Sequence, residues 1–195
     1  MVDFQKRDTR RGVEDEDQEE DRDEERDEQE TAEGSVEAES TTVDREAEHH
    51  HHDLESVGVA VLTVSSTRTL DDDPSGDAIT EAVTANGHTV VTRELVSDSL
   101  DAVQGSVNQL VGRKDVDVVI TTGGTGVSPD DVTIEAIDPL LEKDLPGFGE
   151  TFRRQSADEI GPMVIATRAT AGIANGVPVF SLPGSVDAVE MGVES

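Results

Sequence analysis

Short apolar runs alternate along this chain with stretches whose apolar residues recur at helical spacing. Val57, Val59, Ala60, Val61, Leu62 and Val64 make a nearly unbroken apolar run, as expected of a strand covered on both faces. Ser75 and Gly76 then open a helix that shows Ile79, Ala82 and Val83 on one face and closes at Asn86-Gly87. Residues 89–96 alternate and predict a second strand. Leu100, Val103, Val107, Leu110 and Val111 predict a helix over residues 99–111, and residues 116–120 predict a third strand.

Ile134, Ile137, Leu140 and Leu141 mark the next helix, whose start fits either a Ser128 cap with Pro129 at the first helical position or a Thr133 cap. Residues 147–156 predict another helix, and residues 163–167 and 177–182 predict strands around the Asn175-Gly176 turn. Strands and helices alternating through short connections predict an α/β fold, a three-layer α/β/α sandwich around a mostly parallel sheet.

The segment Thr121-Thr122-Gly123-Gly124-Thr125-Gly126 follows the third predicted strand and precedes a helix. Glycines let a backbone approach a phosphate closely, and free amides at a helix start point toward it. A lysine P-loop is excluded, because Val127 and Ser128 follow Gly126 where Lys and Ser/Thr are required. The dinucleotide fingerprint is excluded by the spacing of Gly123, Gly124 and Gly126. Asp131 stands close by; a carboxylate beside a phosphate is repulsive unless a cation lies between them, which points to Mg²⁺. The bland alternative for Asp131 is a helix N-terminal acid that favours the macrodipole.

Charge divides the chain near residue 53. Residues 1–53 carry 22 Asp/Glu against 7 Lys/Arg, and Glu14-Asp15-Glu16-Asp17-Gln18-Glu19-Glu20-Asp21 has no apolar period. Such a segment cannot offset its ordering entropy by burial, so an acidic disordered tail is expected. Residues 54–195 form the expected folded domain and carry 23 acids against 8 bases. That excess disfavours nucleic acid and anionic membrane surfaces as partners. With 45 Asp/Glu against 15 Lys/Arg overall, the chain looks like a protein of a halophilic, salt-rich cytoplasm, where salt screens self-repulsion.

The absence of cysteine removes disulfides, thiolate metal sites and thiol nucleophiles. The chain opens without an apolar signal region and contains no long apolar run, so a cytoplasmic protein is expected. His49-His50-His51-His52 reads as a short tag or chance polar run rather than a physiological metal site.

Ligands of open α/β sheets bind beyond the carboxyl ends of the strands. Ser65-Ser66-Thr67-Arg68, Ser97-Asp98, the glycine segment and Leu182-Pro183-Gly184-Ser185 all fall at such ends, predicting one composite site. Among these, Arg68 reads equally well as a surface ion pair, Ser75-Gly76 as a plain helix start, and Ser97-Asp98-Ser99 as an ordinary turn and cap.

Thr122-Gly123-Gly124-Thr125-Gly126 with Asp131 and Glu135, Pro146-Gly147-Phe148-Gly149-Glu150, and Leu182-Pro183-Gly184-Ser185 together resemble the molybdopterin-binding MoaB/MogA family. Val64-Ser65-Ser66-Thr67-Arg68, Ser75-Gly76, Ala85-Asn86-Gly87-His88 and Arg168-Ala169 through Gly172 fit the same pattern in order. The resemblance spans residues 56–192 and none of the tail. It implies a homotrimer or homohexamer acting late in molybdenum- or tungsten-cofactor synthesis. MogA-like members adenylylate molybdopterin: the terminal phosphate of the pterin attacks the α-phosphorus of ATP and pyrophosphate leaves. The product passes to a metal-insertion enzyme.

By that resemblance, Thr122, Gly123, Gly124, Thr125 and Gly126 hold phosphate oxygens, and Asp98 and Asp131 bind Mg²⁺ and set the reaction geometry. Ser65, Ser66, Arg68, Ser75, Gly76, Pro183, Gly184 and Ser185 contact the pterin or its phosphate. Without Trp or Tyr, neither ring is available to stack on a pterin. Glu150 and Arg153 are expected to pair across one helical turn. Relatives continue through a longer final helix than residues 186–195 supply, so a shortened C-terminus is expected. A carrier that holds molybdopterin without nucleotidyl transfer is the competing function. The metal-inserting MoeA enzymes, which carry this fold within a larger chain, form a third class.

Overall fold

The structure, a computed structural model, describes residues 56–194. The acidic tail, the histidine run and the division near residue 53 lie outside the described residues. In chain order the elements are β1 (Gly58–Val64), α1 (Pro74–Ala85), β2 (Thr89–Val96), α2 (Leu100–Leu110), β3 (Val118–Thr122) and α3 (Thr133–Ile137). They continue with β4 (Lys143–Asp144), α4 (Pro146–Ile160), β5 (Thr170–Ala174), β6 (Val177–Leu182) and α5 (Val186–Glu194).

All six strands join one sheet in the order β2-β1-β3-β6-β5-β4. The first four run parallel; at one edge β5 runs antiparallel to β6, and the short β4 antiparallel to β5. Side-chain alternation sorts the core into two faces. Ala60, Leu62, Val64 and Val119 pack with Val103, Val107 and Leu110 of α2 and Ala136 and Ile137 of α3. Val59, Val61, Ile120 and Leu182 pack on the other face with Ile79 and Val83 of α1, Phe152 of α4 and Val189 of α5. The result is the expected three-layer α/β/α sandwich.

Local chemistry sets the boundaries that matter for the site. Asp73 caps α1 through its carboxylate, which accepts the Gly76 amide at 3.0 Å, and Pro74 takes the first helical position. The same carboxylate is buried and accepts the Thr63 hydroxyl at 2.6 Å and the Arg93 guanidinium at 3.1 Å. Burial opposes the Arg93 charge, but hydrogen bonds to Asp77 and Asp73 outweigh it and raise its pKa. Asn175 and Gly176, both at positive φ, form the two-residue turn between β5 and β6.

Two expectations fail. Residues 163–167 are not a strand: Gly161 at φ +58 and Pro162 lead into a 3₁₀ turn over Gly161–Ala166. Met163 and Ile165 there are 70% and 85% exposed, so their apolar character carries no burial signal. The strand paired with β6 is β5, built of small residues. A Cβ at Gly172 would lie 2.6 Å from the Leu141 side chain and 2.7 Å from the Lys143 carbonyl oxygen. Second, the helix after the glycine segment does not start at Ser128 and Pro129. Thr133 is its first residue and not its cap, which is Val132 with no capping side chain, so the Thr133 alternative is off by one position; the helix lasts five residues and passes into a 3₁₀ turn at Asp138–Leu140.

The buried Asp73 junction generates a stability prediction. Asp73→Ala strands the Thr63 hydroxyl, leaves Arg93 with Asp77 alone and removes the α1 cap, so an expected loss of about 2–4 kcal/mol follows. Asp77→Ala, which removes only the exposed partner of Arg93, is expected to lose under about 1 kcal/mol. Equal denaturation midpoints for the two variants would show that the buried carboxylate holds nothing.

Candidate phosphate-binding site

Because β1, β2, β3 and β6 are parallel neighbours, their C-terminal loops meet along one edge of the sheet. Register brings Thr63 beside Thr122 and Thr122 beside Leu182. The Gly123 amide donates to the Leu182 carbonyl at 3.0 Å, and the Thr122 hydroxyl to the Pro183 carbonyl at 2.9 Å. Gly123, at φ +98, passes so close to β1 that a Cβ would stand 2.3 Å from the Val64 carbonyl oxygen. Thr133, buried at the start of α3, locks the segment from beneath. Its hydroxyl donates to the Gly123 carbonyl at 2.8 Å and its amide to the Gly124 carbonyl at 3.0 Å.

The next residues are left with free donors. Among the described residues, the amides of Gly124, Thr125 and Gly126 meet no protein acceptor, and neither does the Thr125 hydroxyl. A short run of unpaired amides on glycine-rich backbone is an anion-binding arrangement. It needs no helix dipole, and the five-residue α3 supplies little.

Asp131 and Asp98 are each built into a turn. An Asp131 oxygen accepts the Ser128 amide at 2.7 Å, and an Asp98 oxygen accepts the Ser66 amide at 2.7 Å. The Ser66 hydroxyl in turn accepts the Asp98 amide at 3.1 Å, clasping the β1 and β2 loops together. Asp131 precedes α3 without belonging to its first turn, so the macrodipole reading loses its basis. The second oxygen of each carboxylate has no protein partner among the described residues. Among the described residues no group of three or more His, Asp or Glu gathers as a metal site. A Mg²⁺ ion here would complete its octahedron with water and phosphate oxygens, which suits its preference for few carboxylates.

Arg68, Ser75 and Gly184 form a second junction. The Arg68 guanidinium donates to the Ser75 hydroxyl at 2.8 Å and the Gly184 carbonyl at 3.1 Å, and Ser75 donates to that carbonyl at 2.7 Å. The ion-pair reading of Arg68 is therefore the minor part, a 3.8 Å approach to Asp73. Gly76 packs against the Asp73 carboxylate. Ser65 accepts the Thr67 and Arg68 amides at 3.2 Å, and Ser185 caps α5 by accepting the Ala188 amide at 3.3 Å. Arg153 donates to the Ala169 carbonyl instead of pairing with Glu150.

Arg168 and Glu135 enter the site without an assigned role at the sequence level. Arg168 reaches the glycine segment from the start of β5, donating to the Gly126 carbonyl at 2.7 Å and the Asp131 carbonyl at 2.9 Å. It also pairs with Glu135 on α3. That hydrogen bond, more than charge at a distance, holds the Glu135 carboxyl below its ordinary 4.5. The signal available was one arginine in an otherwise uncharged stretch of an acid-rich domain. For Asp73 it was the Asp-Pro pair, a cap and first-turn signature hidden in an acidic run.

An open pocket of about 410 Å³ lies beside the segment, lined by Leu100, Val127, Pro129 and Val132 with Asp131 and Arg168 among its polar members. A more apolar groove of about 640 Å³, lined by Val118, Leu145, Phe148 and Phe180 among others, lies partly at the opening end of β3. It does not contain the glycine segment.

Residues 60–195 match the family described as "Probable molybdopterin binding domain". The molybdenum cofactor biosynthesis protein B of Bacillus subtilis is 44% identical over 145 residues, 74% of this chain and 85% of that protein. A crystal structure of a molybdenum cofactor biosynthesis protein B is 41% identical with a TM-score of 0.70, covering 72% of this chain and 88% of that one. The tungsten cofactor synthesizing protein MoaB from Pyrococcus furiosus is 40% identical with a TM-score of 0.65, over 72% and 89% of the two chains.

Two expected outcomes follow from this geometry. Gly123→Ala combines a strained φ with a backbone clash and is expected to destabilise the domain by about 2 kcal/mol or more. Gly147→Ala, with open space around it, should change stability by less than about 1 kcal/mol. Similar urea midpoints for both would refute the close approach. The Glu135 carboxyl is depressed on folding, so its contribution is present above 4.5 and lost as pH falls through the lower folded value. The stability difference between wild type and Glu135→Gln should therefore shrink on acidification below 4.5. A difference constant throughout the acid limb would contradict the pair.

Proposed function

The chain belongs to the molybdopterin-binding domain family, and we propose that it adenylylates molybdopterin with ATP in molybdenum- or tungsten-cofactor biosynthesis. One observation carries this reading. Unpaired amides at Gly124, Thr125 and Gly126 lie beside the Asp131 carboxylate, with Asp98 following β2 at the same edge of the sheet, while Arg68 and Arg168 are engaged on protein carbonyls. A site for one phosphate alone gains nothing from acids. A site joining two phosphates through a divalent cation needs them.

The terminal phosphate oxygen of the pterin attacks the α-phosphorus of ATP in line. A new P–O–P bond forms as the bond from that phosphorus to the bridging oxygen breaks, and pyrophosphate leaves with the electron pair. Phosphoryl-type transfer depends chiefly on positioning and charge stabilisation. The amides of residues 124–126 and the Thr125 hydroxyl hold one phosphate at a fixed distance. Asp98 and Asp131 approach from the β2 and β3 loops and would share Mg²⁺ with the phosphates, whose charge it neutralises. The turn Pro183-Gly184-Ser185, tied to Arg68 and Ser75, presents the pterin side; Ser65 and Ser66 border it, and Gly76 keeps the α1 start tight against Asp73.

No helix among the described residues is long and apolar enough to cross a membrane. The proposal includes a cytoplasmic, salt-adapted homotrimer or homohexamer that passes its product to a metal-insertion enzyme. Exposed Met163 and Ile165 offer apolar surface suited to a subunit contact.

The deciding experiment incubates the protein with ATP, molybdopterin and Mg²⁺ at high and low salt and identifies the product by mass. Adenylylated molybdopterin and pyrophosphate are expected at high salt, with weaker activity in dilute buffer. Asp131→Asn should retain pterin binding and lose about 100-fold or more in turnover. Pterin binding with no ATP consumption by the wild type would instead establish a carrier.

A further inference from the structure

Arg168 makes no contact with any atom assigned above to substrate, yet its guanidinium makes four hydrogen bonds within the protein. Nε donates to the Gly126 carbonyl at 2.7 Å, and one terminal nitrogen to the Asp131 carbonyl at 2.9 Å. Both terminal nitrogens face the Glu135 carboxylate, and the Arg168 amide donates to the Thr125 carbonyl at 3.2 Å. Three carbonyls of the glycine segment and its exit turn therefore face one residue.

A trans peptide is planar, so a carbonyl and the following N–H point in opposite directions. With the Thr125 and Gly126 carbonyls drawn toward Arg168, the Gly126 and Val127 amides must point away from it. The Asp131 carbonyl fixes the Val132 amide in the same manner. None of these three amides has a protein acceptor among the described residues. Released from Arg168, the two peptides after Gly126 and Asp131 could rotate and turn carbonyl oxygens, not amides, toward an incoming phosphate.

We propose that Arg168 is a positioning residue: its guanidinium grips the Gly126 and Asp131 carbonyls and so turns the Val127 and Val132 amides outward, adding them to the phosphate donors of residues 124–126, with Glu135 fixing the guanidinium in turn. The inference rests on the phosphate-binding reading of residues 122–126 but not on the identity of the reaction. Lysine cannot replace the fork, because one ammonium offers no planar pair of donors at fixed spacing. The segment is held from two sides: Thr133 binds the carbonyls of Gly123 and Gly124, and Arg168 those of Thr125, Gly126 and Asp131.

The test uses the full chain and the variants Arg168→Gln, Arg168→Lys and Glu135→Gln at high salt. Binding of inorganic pyrophosphate with Mg²⁺ is measured by calorimetry, beside denaturation midpoints and the adenylylation kinetics. Arg168→Gln is expected to weaken pyrophosphate at least about tenfold and to lower kcat about 10- to 100-fold, with the KM for molybdopterin within about threefold. Arg168→Lys should recover only part of either loss, and Glu135→Gln should lose about threefold in the same direction. Pyrophosphate affinity and kcat both within twofold of wild type in folded Arg168→Gln would overturn the proposal. If that variant does not fold, unchanged pyrophosphate affinity in folded Glu135→Gln overturns it equally. A wild type that binds pyrophosphate but turns over no molybdopterin would refute the adenylylation reading alone, since the binding arm still decides the role of Arg168.

Discussion

The architecture of the site depends on a close approach of backbones at Gly123. Its Cβ position lies 2.3 Å from the Val64 carbonyl oxygen, that of Gly124 lies 2.3 Å from the Thr133 hydroxyl, and that of Gly184 lies 3.2 Å from the Gly123 Cα. Three chain segments leaving β1, β3 and β6 thus meet with no side chain between them. A sheet spaces its neighbouring strands by about 4.8 Å, and loops leaving it normally diverge because side chains must fit. Here the missing Cβ atoms let the loops stay together beyond the strands. The bonds from Thr122 to Pro183 and from Gly123 to Leu182 depend on that proximity. So does the reach of Arg68 from the β1 loop to Gly184.

The charge balance of the domain looks hostile to a phosphorylated ligand, yet the site is locally consistent. Long-range repulsion between surface carboxylates and an anion falls off within about 10 Å at moderate salt and faster at high salt. Backbone amides act at contact distance and are not screened in this way. The nearby arginines brace the loops: Arg68 donates to the Gly184 carbonyl, and Arg168 to those of Gly126 and Asp131. The cations are used to orient dipoles, and the dipoles would meet the phosphate. Such a site tolerates an acid-rich surface better than one that depends on lysine.

Much of the framework was legible in the chain because burial and element type coincided. β1 and β6 are apolar runs that the sheet covers, and the Ile79–Val83 and Val103–Val107 spacings mark helix faces that do pack inward. β5 escaped because Ala171, Gly172 and Ala174 carry no β-like pattern; at Gly172 a side chain is excluded because Leu141 and the Lys143 carbonyl press against it. Met163 and Ile165 misled for the opposite reason, being apolar but exposed. That the loops after β1, β2, β3 and β6 meet at one edge was legible from the alternation of strands and helices, since parallel strands bring their carboxyl ends together whatever their side chains. Its wiring was not visible. Nothing in the spacing of residues says that Asp73 rather than Asp77 is buried, or that Arg168 crosses from β5 to hold Gly126, because these contacts join segments through folding alone.

Asp131 shows how a structural role and the proposed chemical one can occupy one side chain. One of its oxygens accepts the Ser128 amide and closes the turn after the glycine segment, while its backbone carbonyl is held by Arg168. The turn is satisfied by any acceptor, and an asparagine oxygen would serve. A cation shared with phosphate oxygens requires the negative charge. The two demands are therefore separable at a single position, charge against acceptor, where deletion of the whole side chain would confound them. Asp98 has the same division, with one oxygen on the Ser66 amide. Two carboxylates, on the loops after β2 and β3 with the β1 loop between them, are each anchored through one oxygen and leave one oxygen apiece without a protein partner among the described residues. A metal held by so few protein ligands must take its remaining ligands from water and substrate. Its binding and that of the phosphates are then coupled, which ties the loop geometry set by Gly123 and Arg168 to the chemistry at the sheet edge.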